Sequence, residues 1–138
     1  MIKTIDMKIM RYINLFSRIS GVTPRHCFIY NSTVIFTVPE GKLPMAIGEN
    51  GKNIKRMNEI ISRKVKVVLI PKDVSDAEKF ISTIIYPAQM KSVEINGSQL
   101  IINAGQQNKA MLIGRNKARL DEMKKIIKDY FGKEVRIV

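Results

Sequence analysis

The sequence predicts an α+β protein made of two tandem units of one order, helix–strand–strand–helix–helix–strand (αββααβ), each a three-stranded sheet packed on helices. Two observations carry this prediction. The chain repeats itself at an offset of 66 positions, and within each copy the apolar pattern switches between helical and strand periods at matching places. The segment MAIGENGKNIKRMNEI begins at Met45 and MLIGRNKARLDEMKKI at Met111, so that Met45 aligns with Met111, Ile47 with Ile113, Gly48 with Gly114 and Asn50 with Asn116. The apolar series Ile54, Met57, Ile60 falls on Leu120, Met123, Ile126 in the same register. The two units are expected over residues 1–71 and 72–138.

Taken in order, Ile5, Ile9, Ile13 and Phe16 recur at helical spacing and predict an amphipathic first helix. Its counterpart in the second unit carries Ala77, Phe80, Ile81, Ile84 and Ile85; it opens on the capping-box pattern Ser75-x-x-Glu78 and stops at Pro87. A hairpin follows in each copy. Residues 27–30 and 33–38 flank Asn31-Ser32, and residues 93–95 and 100–103 flank Asn96-Gly97-Ser98. Two helical segments separated by a glycine-containing turn come next, and a closing strand ends each unit, at 65–70 before Pro71 and at 134–138.

The charge balance narrows the function. Among 138 residues, 24 Lys and Arg stand against 12 Asp and Glu, a net charge of +12. An excess of that size makes a polyanion the first partner to consider. Both halves share it: residues 1–71 hold 12 basic and 4 acidic side chains, and residues 72–138 hold 12 and 8. No run of apolar residues approaches the roughly 20 needed to span a bilayer, and charges at Lys3, Asp6, Lys8 and Arg11 interrupt any secretory leader. No membrane partner and a cytoplasmic location are expected. With one cysteine, Cys27, no internal disulfide forms.

Gly48-Glu49-Asn50-Gly51 lies between an apolar lead-in ending at Ile47 and a basic amphipathic helix carrying Lys52, Lys55 and Arg56. Two glycines in four residues permit positive φ and clear both shoulders of the turn. The amides that open the following helix, with its dipole, favour an anion there. A phosphodiester backbone lying on that turn would meet screening charge from the three cations. Both glycines read as exposed turn positions, where acidic replacements would repel phosphate at little cost in stability.

Ile47-Gly48-Glu49-Asn50-Gly51-Lys52-Asn53-Ile54 resembles the core signature of the KH domain, whose GXXG loop clamps four nucleotides of single-stranded RNA. The helix-first order is similar to the type II KH arrangement. Two such units in tandem, over nearly the whole chain, resemble the archaeal NusA-like transcription termination/antitermination factors. The resemblance implies a single-stranded RNA partner and a role in termination or antitermination, with RNA polymerase as a further candidate partner. A tandem KH factor in ribosomal RNA maturation or small-subunit assembly, and a protein-docking module that binds no RNA, remain as alternatives.

The second turn departs from the signature: in Gly114-Arg115-Asn116-Lys117, Lys117 takes the place of the second glycine. A Lys there adds charge but restores a Cβ, which stands against positive φ and close backbone approach. Arg115, Lys117 and Arg119 remain available to hold phosphates electrostatically, and regaining glycine at 117 is expected to improve RNA binding if this turn is a damaged clamp.

Catalysis has little support. His26 and Cys27 are neighbours on a predicted strand and so point to opposite faces, and one His with one Cys is too few for a metal site. No Walker-type GxxxxGK[ST] run occurs. The expectation is a non-enzymatic binding protein with no cofactor, no metal and no small-molecule substrate. Lys124, Lys125 and Lys128 are assigned to a solvated face, and Met57 and Met123 to the core.

Overall fold

Asp6 starts the first helix in the computed structural model, which describes residues 6–138. Its carboxylate accepts from the amides of Lys8 and Ile9, at 2.9 and 3.4 Å, so two of the four unpaired donors at the start of α1 (Met7–Ser20) find a partner. Ile5, the first member of the predicted apolar stripe, lies outside the described residues. Gly21 ends the helix in the left-handed conformation and returns its amide to the Ser17 carbonyl at 2.9 Å. Phe16 is fully buried and packs on Phe36, with ring centroids 4.4 Å apart.

The chain divides between Ile70 and Pro71 into two units. In the first, β1 (His26–Tyr30) and β2 (Thr33–Val38) form an antiparallel hairpin in which Tyr30 pairs with Thr33. Asn31 and Ser32 both take positive φ (50° and 59°), which gives a two-residue turn the twist that antiparallel strands need. A parallel partner requires a crossover. Helices α2 (Leu43–Ile47) and α3 (Lys52–Ile61) provide it, delivering β3 (Val65–Leu69) alongside β2 with Val34 opposite Val65. The sheet order is β1-β2-β3. Val34, Phe36 and Val38 meet Phe16, Val22, Ala46, Met57 and Val65 in one buried cluster.

The second unit repeats the plan: α4 (Ala77–Ile85), β4 (Ser92–Asn96), β5 (Gln99–Asn103), α5 (Gln106–Ile113), α6 (Ala118–Phe131) and β6 (Glu134–Ile137), with sheet order β4-β5-β6. β4 is antiparallel and β6 parallel to β5. All five apolar residues predicted for the inner face of α4 are buried, as are Leu100, Ile102, Met123, Ile126 and Ile127. Phe80 packs on Tyr130 and Phe131, with centroids at 4.8 and 6.0 Å. Both units are therefore αββααβ, each a three-stranded mixed sheet on helices, and the protein is α+β with two tandem units of one topology. Among the described residues no helix is long and apolar enough to cross a membrane.

Three local expectations are corrected. Ser75 is not the cap of α4: a 3-10 turn at Val74–Asp76 precedes that helix, and the carboxylate of Asp73 accepts from the Ser75 amide at 2.8 Å. The Ser75 hydroxyl donates to the same carboxylate, and this bond, with the one from the amide, holds the Asp73 carboxyl below its usual range. Glu78 reaches across to the Val93 amide of β4 (3.1 Å) instead of back to the cap. Asn96 belongs to β4, paired with Gln99, so the second hairpin turns on Gly97-Ser98 alone, with the positive φ at Gly97. Ile60 is 54% exposed, although its repeat partner Ile126 is buried. Helix α3 ends one residue later, and Ile61 takes the inward place, packed against the core cluster.

These assignments separate two neighbouring kinds of apolar residue. Phe36→Ala is expected to cost about 3–5 kcal/mol, the range for deleting a buried aromatic ring, while Ile60→Ala should stay within about 0.5 kcal/mol, as at ordinary surface positions. Urea unfolding of both variants checks this, and equal losses would contradict the packing described.

Candidate nucleic-acid interface

The first turn is set by two helix ends. α2 stops when the Gly48 amide donates to the Pro44 carbonyl at 2.9 Å, and Gly48 itself adopts φ 80°, ψ 166°. That combination is accessible in practice only to glycine. Glu49–Gly51 then form one 3-10 turn in which Asn50 (φ 54°) and Gly51 (φ 72°) are left-handed, and the Gly51 amide donates to the Gly48 carbonyl at 3.1 Å. Helix α3 begins at Lys52 with no side chain capping it. Its opening amides and dipole are therefore directed at whatever lies on the turn.

Around this turn the sequence-predicted residues come together. Glu49 and Asn50 are exposed, and Ile47, Gly48 and Gly51 are half-buried. Lys52, Lys55 and Arg56 are all exposed, and their i, i+3, i+4 spacing places them on one face of the first turns of α3. Asn53, which sequence reasoning did not single out, sits on the inner side. Its Nδ2 donates to the Met45 carbonyl at 3.1 Å. A Cβ placed on Gly48 would lie 2.8 Å from the Asn53 carboxamide, whereas a Cβ on Gly51 would meet nothing within 4 Å. The two glycines thus do different work: Gly48 is required by space and by conformation, Gly51 by conformation alone. The expectation that both tolerate acidic replacement is corrected at Gly48.

The second turn follows the same backbone path. Gly114 has φ 77°, ψ 170°, Asn116 is left-handed at φ 54°, and the Lys117 amide donates to the Gly114 carbonyl at 3.2 Å. Lys117 adopts φ 62°, so its Cβ does not prevent the left-handed conformation, contrary to expectation. The reason is steric: the equivalent position in the first turn is open space, leaving only the intrinsic cost of a left-handed L-residue, about 1–2 kcal/mol. Arg115, Asn116 and Lys117 are exposed. Arg119 is different. Its stem covers Gly114, with Cγ 2.6 Å from where a Cβ would sit, and its guanidinium pairs with Glu122 at 3.0 Å. At the positions matching Lys52, Lys55 and Arg56 the second unit has Ala118, Asp121 and Glu122. Positive charge has moved from the helix into the turn.

The His26–Cys27 pair offers no nucleophile. Cys27 packs against the core cluster, and burial, reinforced by the negative charge of Asp6, pushes its thiol up to about 12. It stays protonated near neutrality, so the reactive thiolate is not formed.

A mixed three-stranded sheet whose crossover helices are joined by a Gly-x-x-Gly turn defines the KH class, and residues 10–75 match the KH domain family model. KH domains are RNA-binding modules. Beyond that class, the chain is similar to archaeal proteins called "Probable transcription termination protein NusA". It is 23% identical over 131 residues to the one from Halococcus morrhuae, covering 93% of this chain and 92% of that protein. It is 28% identical over 120 residues to the one from Methanocaldococcus jannaschii, covering 84% of this chain and 64% of the relative. For the protein of that name from Methanococcus vannielii, identity is 27% over 96 residues, and the match spans 53% of the relative. The solved structure of APE1850 matches with a TM-score of 0.63 at 27% identity, over 97% of this chain and all of the other.

The contrast between the glycines is measurable. Gly48→Ala is expected to destabilise by about 2 kcal/mol or more, from a glycine-only backbone region and the contact with Asn53. Gly51→Ala should cost about 1 kcal/mol, and Lys117→Gly should gain up to about 1 kcal/mol by relieving the left-handed strain. Chemical denaturation ranks the three, and a Gly48 variant as stable as the Gly51 variant would refute the assignment.

Proposed function

We propose that this chain is a non-catalytic, cytoplasmic single-stranded RNA-binding factor of the NusA type that acts in transcription termination or antitermination, with RNA polymerase as its second partner. The observation that carries the RNA reading is the Gly48–Gly51 turn, exposed at Glu49 and Asn50, with the uncapped start of α3 behind it and Lys52, Lys55 and Arg56 on one face beside it. A phosphate resting on the turn meets the positive end of the helix dipole and three cations, none of which distinguishes bases. Sequence preference would come from bases lying against Ile47 and the apolar surface beside the turn. The role in transcription is supported by the names of the archaeal relatives. In the second unit, Arg115 and Lys117 add phosphate contacts through their side chains, while Arg119 is held by Glu122.

Gly51 gives the cleanest test, because its side-chain position is open. Asn and Asp both tolerate the left-handed conformation, but only Asp adds charge. Gly51→Asp is expected to weaken binding of an unstructured RNA about tenfold, and Gly51→Asn much less, at similar thermal stability. The wild-type slope of log affinity against log salt should be about −2 if three phosphates are neutralised at about −0.7 each. Equal affinities for both variants and wild type would remove the turn from the RNA site. Crosslinking in living cells then tests the process: nascent transcripts support the transcription role, and precursor ribosomal RNA would reassign the protein to ribosome maturation.

A further inference from the structure

The first turn contains a cross-tie that the second lacks. α2 has only five residues, too few to hold its shape alone, and carbonyls in the last turn of any helix lack intrahelical partners. Asn53, the second residue of α3, fills one of those vacancies by donating Nδ2 to the Met45 carbonyl at 3.1 Å. The same carboxamide occupies the space above Gly48. One side chain therefore bonds α2 to α3 and packs on the glycine between them. In the second unit Arg119 stands at the matching position and covers Gly114 in the same way, but its guanidinium turns along its own helix to Glu122. Filling space over the first glycine is common to both units, whereas bonding the two helices together through this position belongs to the first.

We propose that Asn53 is a positioning residue that holds the Gly48–Gly51 turn in its binding conformation before RNA arrives, an inference that rests on the RNA-binding reading above. A site ordered in advance loses less conformational freedom on binding, and the saving appears as affinity. Asn53 need not touch RNA to do this. It acts through the direction in which α2 enters the turn and through the position of Gly48.

Asn53→Leu separates the two roles, since leucine fills similar space but donates nothing. The variant is expected to bind unstructured RNA roughly five- to tenfold more weakly, with an unchanged unfolding midpoint. Amide exchange at Gly51 should be faster than in wild type, and exchange in the buried strand β2 should be unaltered. Gly51→Asp, measured on the same RNA, reports on the underlying reading. If Asn53→Leu binds as tightly as wild type while Gly51→Asp is weakened, the positioning role is overturned and the RNA site stands. A loss of affinity that comes with a lowered midpoint and faster exchange throughout the first unit overturns it too, because Asn53 would then be a stability residue only. If neither variant is weakened, the RNA reading of this turn fails and the inference falls with it.

Discussion

The backbone at Gly48 is the constraint on which the candidate site depends. At φ 80°, ψ 166°, with the Asn53 carboxamide 2.8 Å from where a Cβ would be, any side chain here is strained by the backbone and displaces Asn53. A change of direction this sharp lets α2 end and α3 begin within four residues, so the start of α3 emerges beside the chain that precedes it. Gly114 repeats both features, with the stem of Arg119 in place of Asn53. The same backbone path is thus covered by two unrelated side chains, Asn53 in one unit and Arg119 in the other. The chemistry displayed on it is a separate matter.

That separation explains how two units with one fold carry different electrostatics. The sheet, the crossover and the positive-φ turn are common to both, and they rest on buried apolar residues that the repeat preserves. The exposed positions are free to differ. In the first unit Lys52, Lys55 and Arg56 line the start of α3; in the second, Asp121 and Glu122 stand on the helix, and the cations lie at Arg115 and Lys117 in the turn. A polyanion would be met chiefly by helix charge and backbone in one case, and by turn side chains in the other. Lys117 is tolerated because nothing crowds the second glycine position, so the change costs conformational strain but no packing.

Where sequence reasoning missed, a longer-range partner had competed with a local pattern. Ser75-x-x-Glu78 has the spacing of a capping box, yet Asp73 organises the preceding turn and Glu78 is drawn to a strand amide 15 residues away. Ile60 matches a buried residue in the repeat, but α3 stops at Ile61, and a helix that short needs only one of the two isoleucines on its inner face. The Asn53 bond to Met45 left no trace in the repeat, since its counterpart is an arginine. It exists only because α2 and α3 approach each other across the turn.

Period, repetition and glycine spacing are properties of the chain itself, and they were enough to determine the order of elements, the two α+β units, most of the core and the location of both turns. They act over a few residues, within reach of local sterics and of the burial pattern of a single helix or strand. Tertiary structure decided which glycine is indispensable, that Lys117 keeps the left-handed turn, and that Asn53 spans two helices while Arg119 is drawn to Glu122. Each of these depends on the distance between atoms brought together by folding, and no spacing along the chain encodes that distance.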